Sequence, residues 1–132
     1  MLQLKNITKN YLSGDNEVNA LKGINLEFRE SEFVSILGQS GSGKTTSMEK
    51  LNPKETYYID CDKKGLSWKG WRKQYNKENK NYFVTDFPND VETIIKGIDT
   101  KRPEIKYIVI DTLNGIMIGD EMRRSKEKGL TI

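Results

Sequence analysis

With 132 residues, 35% of them hydrophobic and 31% charged, the chain is about one domain's worth of rather polar polypeptide. No apolar run approaches the roughly 18 residues of a membrane-spanning helix, and residues 1–5 (MLQLK) lack the apolar core of a secretion signal. A single cysteine, Cys61, makes no internal disulfide, which suits a reducing cytoplasm, and with no histidine beside it a zinc site is not expected.

Residues 2–11 place Leu2, Leu4 and Ile7 in partial alternation with polar neighbours, the pattern of a strand with one exposed face. Residues 13–16 (SGDN) are a turn signal, and residues 17–29 read as a second strand carrying Leu21, Ile24, Leu26 and Phe28. The apolar run 32–37 reads as a third, buried strand. It leads into residues 38–45, GQSGSGKT, a complete G-x-x-x-x-G-K-[ST] phosphate-binding loop that Thr46 extends. A short helix is expected over 45–51, stopped by Asn52 and Pro53. Residues 56–61 are strand, 63–80 a long basic loop, 82–85 a short strand, and 90–98 a helix with Val91, Ile94, Ile95 and Ile98 on one face. Residues 105–110 form a buried strand, and 115–128 a last helix ending at Gly129. Strands alternating with helices after residue 32 predict the α/β class. The expected architecture is a P-loop NTPase with a mostly parallel sheet, crossover helices and an antiparallel β portion at the N-terminus.

The loop carries the most specific chemistry. Gly38, Gly41 and Gly43 let the backbone curl so that successive N–H groups, with Ser40 and Ser42 between them, face an anion. Lys44 is placed to reach the β- and γ-phosphates of ATP, and Thr45 to hold Mg²⁺ through its hydroxyl. Asp111 closes the apolar strand Ile108-Val109-Ile110, the pattern of a carboxylate that serves Mg²⁺ opposite Thr45. Asp60 and Asp62 lie at the end of the 56–61 strand, either as a water-polarising acid or as ordinary strand-end residues.

The net charge of +3 lies wholly after residue 46, because residues 1–46 carry five side chains of each sign. Residues 63–80 hold seven Lys or Arg against Glu78 alone. Rings interleave with them: Trp68, Trp71, Tyr75 and, just beyond, Tyr82. Two readings stand for this stretch. It is a surface for single-stranded DNA, with rings for bases and cations for phosphates, or a solvated basic loop whose rings pack on the core. The basic run 122–128 is read as a solvated helix face rather than an arginine finger.

Two resemblances meet at the loop. MLQLKNITKNY, VNALKGINLEF and EFVSILGQSGSGKTT, all within residues 1–46, resemble the start of an ABC transporter ATPase of the lipoprotein-release or macrolide-export type. That resemblance implies that Tyr11 stacks on adenine, beside the plainer reading of a tyrosine closing a strand. The chain has no LSGGQ signature and no histidine, and Thr112 rather than glutamate follows Asp111. Transporter-type firing as a dimer, and a transporter's membrane subunit as partner, are therefore not expected. Residues 43–128, with KETYYIDCD, KGWRKQYNKENKNYFVTD and KRPEIKYIVIDTLNGIM, resemble RecA-like ATPases of the AAA/RecA type found in bacteriophages. This second resemblance implies a catalytic role for Asp62 as the acid that polarises water.

On these grounds residues 1–132 read as a single ATP- and Mg²⁺-binding domain, joined chimera-like from an ABC-like 1–46 and a RecA-like, truncated 47–132. It is expected to be cytoplasmic, with weak or absent turnover and a homo-oligomer as an option. An ABC transporter ATP-binding fragment, a nucleic-acid-binding accessory module and a non-functional fusion remain as alternatives. In RecA-like sheets a further strand separates the loop strand from the Asp111 strand. Without it, unless the N-terminal strands fill the gap, backbone groups are left unpaired or the two motif strands are forced together; strands left apart would place Thr45 and Asp111 poorly for one ion.

Overall fold

The computed structural model describes residues 2–37 and 43–129, which fall into two compact units divided at the loop. The first is a β-hairpin of β1 (Leu2–Ser13) and β2 (Asn16–Phe28), closed by Gly14 and Asp15. Its register shifts between Leu4 and Ile7, where Asn6 takes a left-handed φ of 47°. Across the strands Gly23 has φ 81°, and a Cβ there would lie 3.0 Å from Asn6 Oδ1. This is a bulge that requires glycine. The break is visible in the sequence, since Leu4 to Ile7 and Leu21 to Ile24 both depart from period two.

The second unit is built on a parallel sheet ordered β4-β3-β5, with β3 (Thr56–Asp60) between β4 (Tyr82–Val84) and β5 (Tyr107–Asp111). The register sets Tyr58 opposite both Tyr82 and Val109, and Asp60 opposite Asp111. Because side chains alternate across a strand, Tyr58, Val109, Asp60 and Asp111 share one face. Tyr57, Ile59, Ile108 and Ile110 share the other. On the first face Tyr58 packs with Leu66, Trp68 and Tyr75; on the second Ile59 and Cys61 pack with Val91, Ile94 and Ile116. The second face is covered by α2 (Pro88–Lys101), which starts on a proline at its first turn, and by α3 (Leu113–Glu127). Gly129, with φ 68°, follows the end of α3. A short helix, α1 (Trp71–Gln74), lies within the long basic connection.

Two expectations are corrected. Residues 32–37 form no strand and are exposed, Phe33 at 77% and Leu37 at 90%. Among the described residues no strand pairs with them, and an apolar run without a ladder partner leaves its backbone groups to solvent. The helix expected over 45–51 is reduced to a 3₁₀ turn, Thr46–Met48. There the Ser47 hydroxyl donates to the Lys44 carbonyl at 2.5 Å, which competes with backbone pairing, and Pro53 forbids extension.

Candidate functional site

The loop's last residues and the end of β5 meet. Thr45 Oγ1 donates to Asp111 Oδ2 at 2.8 Å, linking residues 66 positions apart. The same oxygen accepts the Tyr58 hydroxyl at 2.6 Å. Asp111 is held by its backbone as well, since its carbonyl accepts the Cys61 N–H at 2.7 Å. The loop threonine thus reaches the strand-end carboxylate directly. Lys44 and Thr45 are both half-buried, and Gly43 takes φ 94°, in the region that glycine enters freely. Thr46 is exposed, with its hydroxyl 2.7 Å from that of Ser67. Gly38, Ser40, Gly41 and Ser42 lie outside the described residues.

Asp60, 3% exposed, is turned to structure: its Oδ2 accepts the Gly65 N–H at 2.8 Å and the Tyr82 hydroxyl at 2.7 Å. Asp62 is half-buried past the end of β3 and accepts the Thr112 hydroxyl at 3.2 Å. It therefore binds the neighbour of Asp111. Tyr11 belongs to the hairpin unit, where it is 56% exposed with the Lys9 ammonium 5.3 Å from its ring centre.

The strand-end carboxylates mark their neighbours. Burial raises the Tyr58 hydroxyl far above its ordinary value, and its hydrogen bond to Asp111 and the charges of Asp111 and Asp60 add to the rise. Tyr82 is raised by burial and by Asp60. The Cys61 thiol is pushed up to about 12, first by burial and then by the surrounding Asp60, Asp62, Asp111 and Asp86. Both tyrosines are therefore hydrogen-bond donors at any physiological pH. Burial also pushes Asp86 up, but Lys63 and Arg123 outweigh it and leave its carboxyl below the usual range. Tyr58 is the site residue that sequence reasoning passed over. Its signal was available, because a tyrosine on a central buried strand needs a partner for its hydroxyl.

The rings of the basic stretch pack as the second reading of residues 63–82 expects. Trp68 and Tyr75 are buried, 7% and 1% exposed, and Trp71 and Tyr82 are half-buried against each other at 5.2 Å between centroids. The rings are spent on the core whereas the seven cations are exposed, and nothing in the comparisons supports single-stranded DNA as a partner.

A parallel sheet whose strand-end aspartate meets the threonine of a GKT loop is the arrangement of P-loop nucleotide-binding proteins. Residues 21–119 match the family described as ABC transporter, and the chain belongs to that family. It is 54% identical over 48 residues to an uncharacterized ABC transporter ATP-binding protein of Methanocaldococcus jannaschii, covering 36% of this chain and 20% of that protein. It is 49% identical over 108 residues to the macrolide export ATP-binding/permease protein MacB of Bdellovibrio bacteriovorus, covering 82% and 14%. It is 36% identical over 118 residues to the spermidine/putrescine import ATP-binding protein PotA of Spiroplasma citri, covering 85% and 31%. The chain thus spans less than a third of each of these relatives. No solved structure matches it. ABC ATPase domains bind ATP with Mg²⁺. The match runs through the loop to residue 119, and nothing in the comparisons supports a phage RecA-like origin for residues 43–128 or a join of two families. Among the described residues no helix is long and apolar enough to cross a membrane.

Proposed function

We propose that this chain is an ATP-binding domain of the ABC type whose site is formed by residues 38–46 and Asp111. The observation that carries the proposal is the 2.8 Å hydrogen bond from Thr45 to Asp111. It brings together two oxygen donors, a hydroxyl and a carboxylate, and hard oxygen ligands are what Mg²⁺ takes. Thr45 and Asp111 would hold the ion, which when bound neutralises charge on the β- and γ-phosphate oxygens. Lys44 adds its positive charge at those phosphates and the loop N–H groups orient them; the assignment of Tyr11 to the adenine rests on the ABC resemblance of residues 1–46 alone.

Hydrolysis belongs to the same proposal as a weak activity. Water would attack the γ-phosphorus and pass a proton to Asp62 while the bond to the β–γ bridging oxygen breaks and ADP leaves with that electron pair, a reading supported by the position of Asp62 beside Thr112 at the carboxyl end of the sheet. Residues 1–132 act on this reading as one nucleotide-binding domain, in the cytoplasm where ATP is held, with a homo-oligomer as an option. The relatives' export and import roles belong to much longer proteins, and the cargo of this chain is not assigned by its residues. Calorimetric titration with ATP in the presence of Mg²⁺ tests the proposal. Binding is expected for the unsubstituted chain, with at least a tenfold loss in Thr45→Ala, because a hydrogen bond to a charged group contributes about 1.5–3 kcal/mol. Equal affinity of the two proteins would overturn the assignment.

A further inference from the structure

We propose that Tyr58 is a positioning residue of the phosphate site: its buried hydroxyl fixes the Asp111 carboxylate in the orientation that serves Thr45 and the metal of MgATP. This rests on the nucleotide-binding reading above and adds to it a residue that neither the loop motif nor the strand-end aspartate points to.

The geometry is specific. Tyr58 lies opposite Val109, two residues before Asp111 on the same face of the neighbouring strand, so its phenol reaches diagonally to the carboxylate. The 2.6 Å separation falls in the short range of a hydroxyl donating to an ionised carboxylate. The ring cannot easily turn away. Tyr58 is 1% exposed, meets Tyr75 edge-on at 5.5 Å and lies 6.4 Å from Tyr82.

The division of labour with Thr45 follows from where the protons go. Both hydroxyls donate to Oδ2 of Asp111. Thr45, on the loop, keeps its oxygen lone pairs for a cation, while Tyr58 holds the same carboxylate oxygen from within the sheet. A partner that orients a metal-serving carboxylate without touching the metal typically sets metal affinity by about 10–100-fold. The neighbouring strand carries a built-in comparison. Tyr82 donates to Asp60 at 2.7 Å in the same diagonal sense, yet Asp60 is bound to Gly65 and does not meet the loop threonine.

The test measures ATP affinity of the full chain twice, once in excess Mg²⁺ and once in EDTA, for the unsubstituted protein, Tyr58→Phe and Tyr82→Phe. Tyr58→Phe is expected to leave metal-free affinity unchanged and to reduce the gain on adding Mg²⁺ at least tenfold. Tyr82→Phe should keep that gain. An unchanged gain in Tyr58→Phe, or equal losses with and without metal, would overturn the proposal and leave the nucleotide site standing. An unsubstituted chain that gains nothing from Mg²⁺ would overturn the nucleotide reading itself, and this inference with it. If Tyr58→Phe does not fold, NMR of the unsubstituted protein decides. A slowly exchanging Tyr58 hydroxyl proton that shifts with MgATP, and not with ATP in EDTA, is expected. Its absence or indifference to metal would refute the assignment.

Discussion

Alanine at Gly115 and alanine at Gly97 should move stability in opposite directions, although both glycines are helical. In an open helix position, glycine to alanine gains about 0.5–1 kcal/mol through backbone entropy. Gly97, within α2, is such a position, since a Cβ there meets nothing within 4 Å. Gly115, in the first turn of α3, is not. A Cβ would lie 2.5 Å from the Cys61 carbonyl oxygen, 2.6 Å from Asp62 Oδ1 and 2.8 Å from the Cys61 carbonyl carbon. Ordinary contact starts at 3.4 Å, so the helix must retreat by most of an ångström from the end of β3, whose backbone cannot yield as a flexible side chain would. Overpacking of that kind costs about 1–3 kcal/mol, which after the propensity gain leaves a net loss of up to about 2.5 kcal/mol. Urea unfolding of both variants reads the difference as midpoints displaced to opposite sides of the unsubstituted protein. A Gly115→Ala variant as stable as its parent would refute the close approach of α3 to Cys61 and Asp62, and with it the placement of Asp62 beside Thr112.

Trp68→Ala should cost about 3–5 kcal/mol, because the ring is 7% exposed and its N–H donates to Gln74 at 2.7 Å; loss of the cooperative melt is the readout. Cys61 should resist a thiol-reactive chromogenic disulfide at pH 8 in the native protein and react at once in urea. Its pKa is raised from 9.0 to about 12 by burial and the nearby aspartates, so folding holds a proton that the unfolded chain releases. Stability from this group is therefore complete below pH 9.0, falls as pH climbs from there toward about 12, and is followed by denaturant midpoints across that window. Asp86 titrates with the opposite sign. Its carboxyl lies below the ordinary 3.8, so its pairing stabilises the fold above that value and is lost as pH falls through the lowered folded value. Arg123 donates to Asp86 at 3.1 Å and lies 3.8 Å over the Phe87 ring, so Arg123→Ala should cost about 1–2 kcal/mol at neutral pH. The cost should shrink on acidification, as measured by urea unfolding at several pH values.

Much of the second unit was legible because its periodicities are strong. Residues 105–110 and the Ile94, Ile95 and Ile98 face announce a buried strand and an amphipathic helix, and β5 and α2 lie there. The loop motif and the aspartate closing β5 also announce each other. Their hydrogen bond does not follow from the sequence, because a contact between residues 66 positions apart depends on the register of three strands. The interleaved rings of residues 63–82 illustrate a different limit. Tryptophan and tyrosine among lysines suit both a stacking surface and a core edge. Only packing tells them apart, here Leu66, Trp68 and Tyr75 closing on Tyr58. Residues 32–37 failed in the opposite way, since an apolar run specifies a strand only where a neighbour supplies the ladder.

The central claim is that the loop ending in Lys44 and Thr45, closed by Asp111, binds MgATP. A thermal melt with and without MgATP, on the unsubstituted chain and on Lys44→Ala, tests it most directly. At a ligand concentration of about 100 times Kd the native state gains about 2.7 kcal/mol. For a chain of this size that raises the midpoint on the order of 10 °C. The account predicts that rise for the unsubstituted chain and little or none for Lys44→Ala. A cooperative melt that MgATP does not move, or that it moves equally in both proteins, would contradict it.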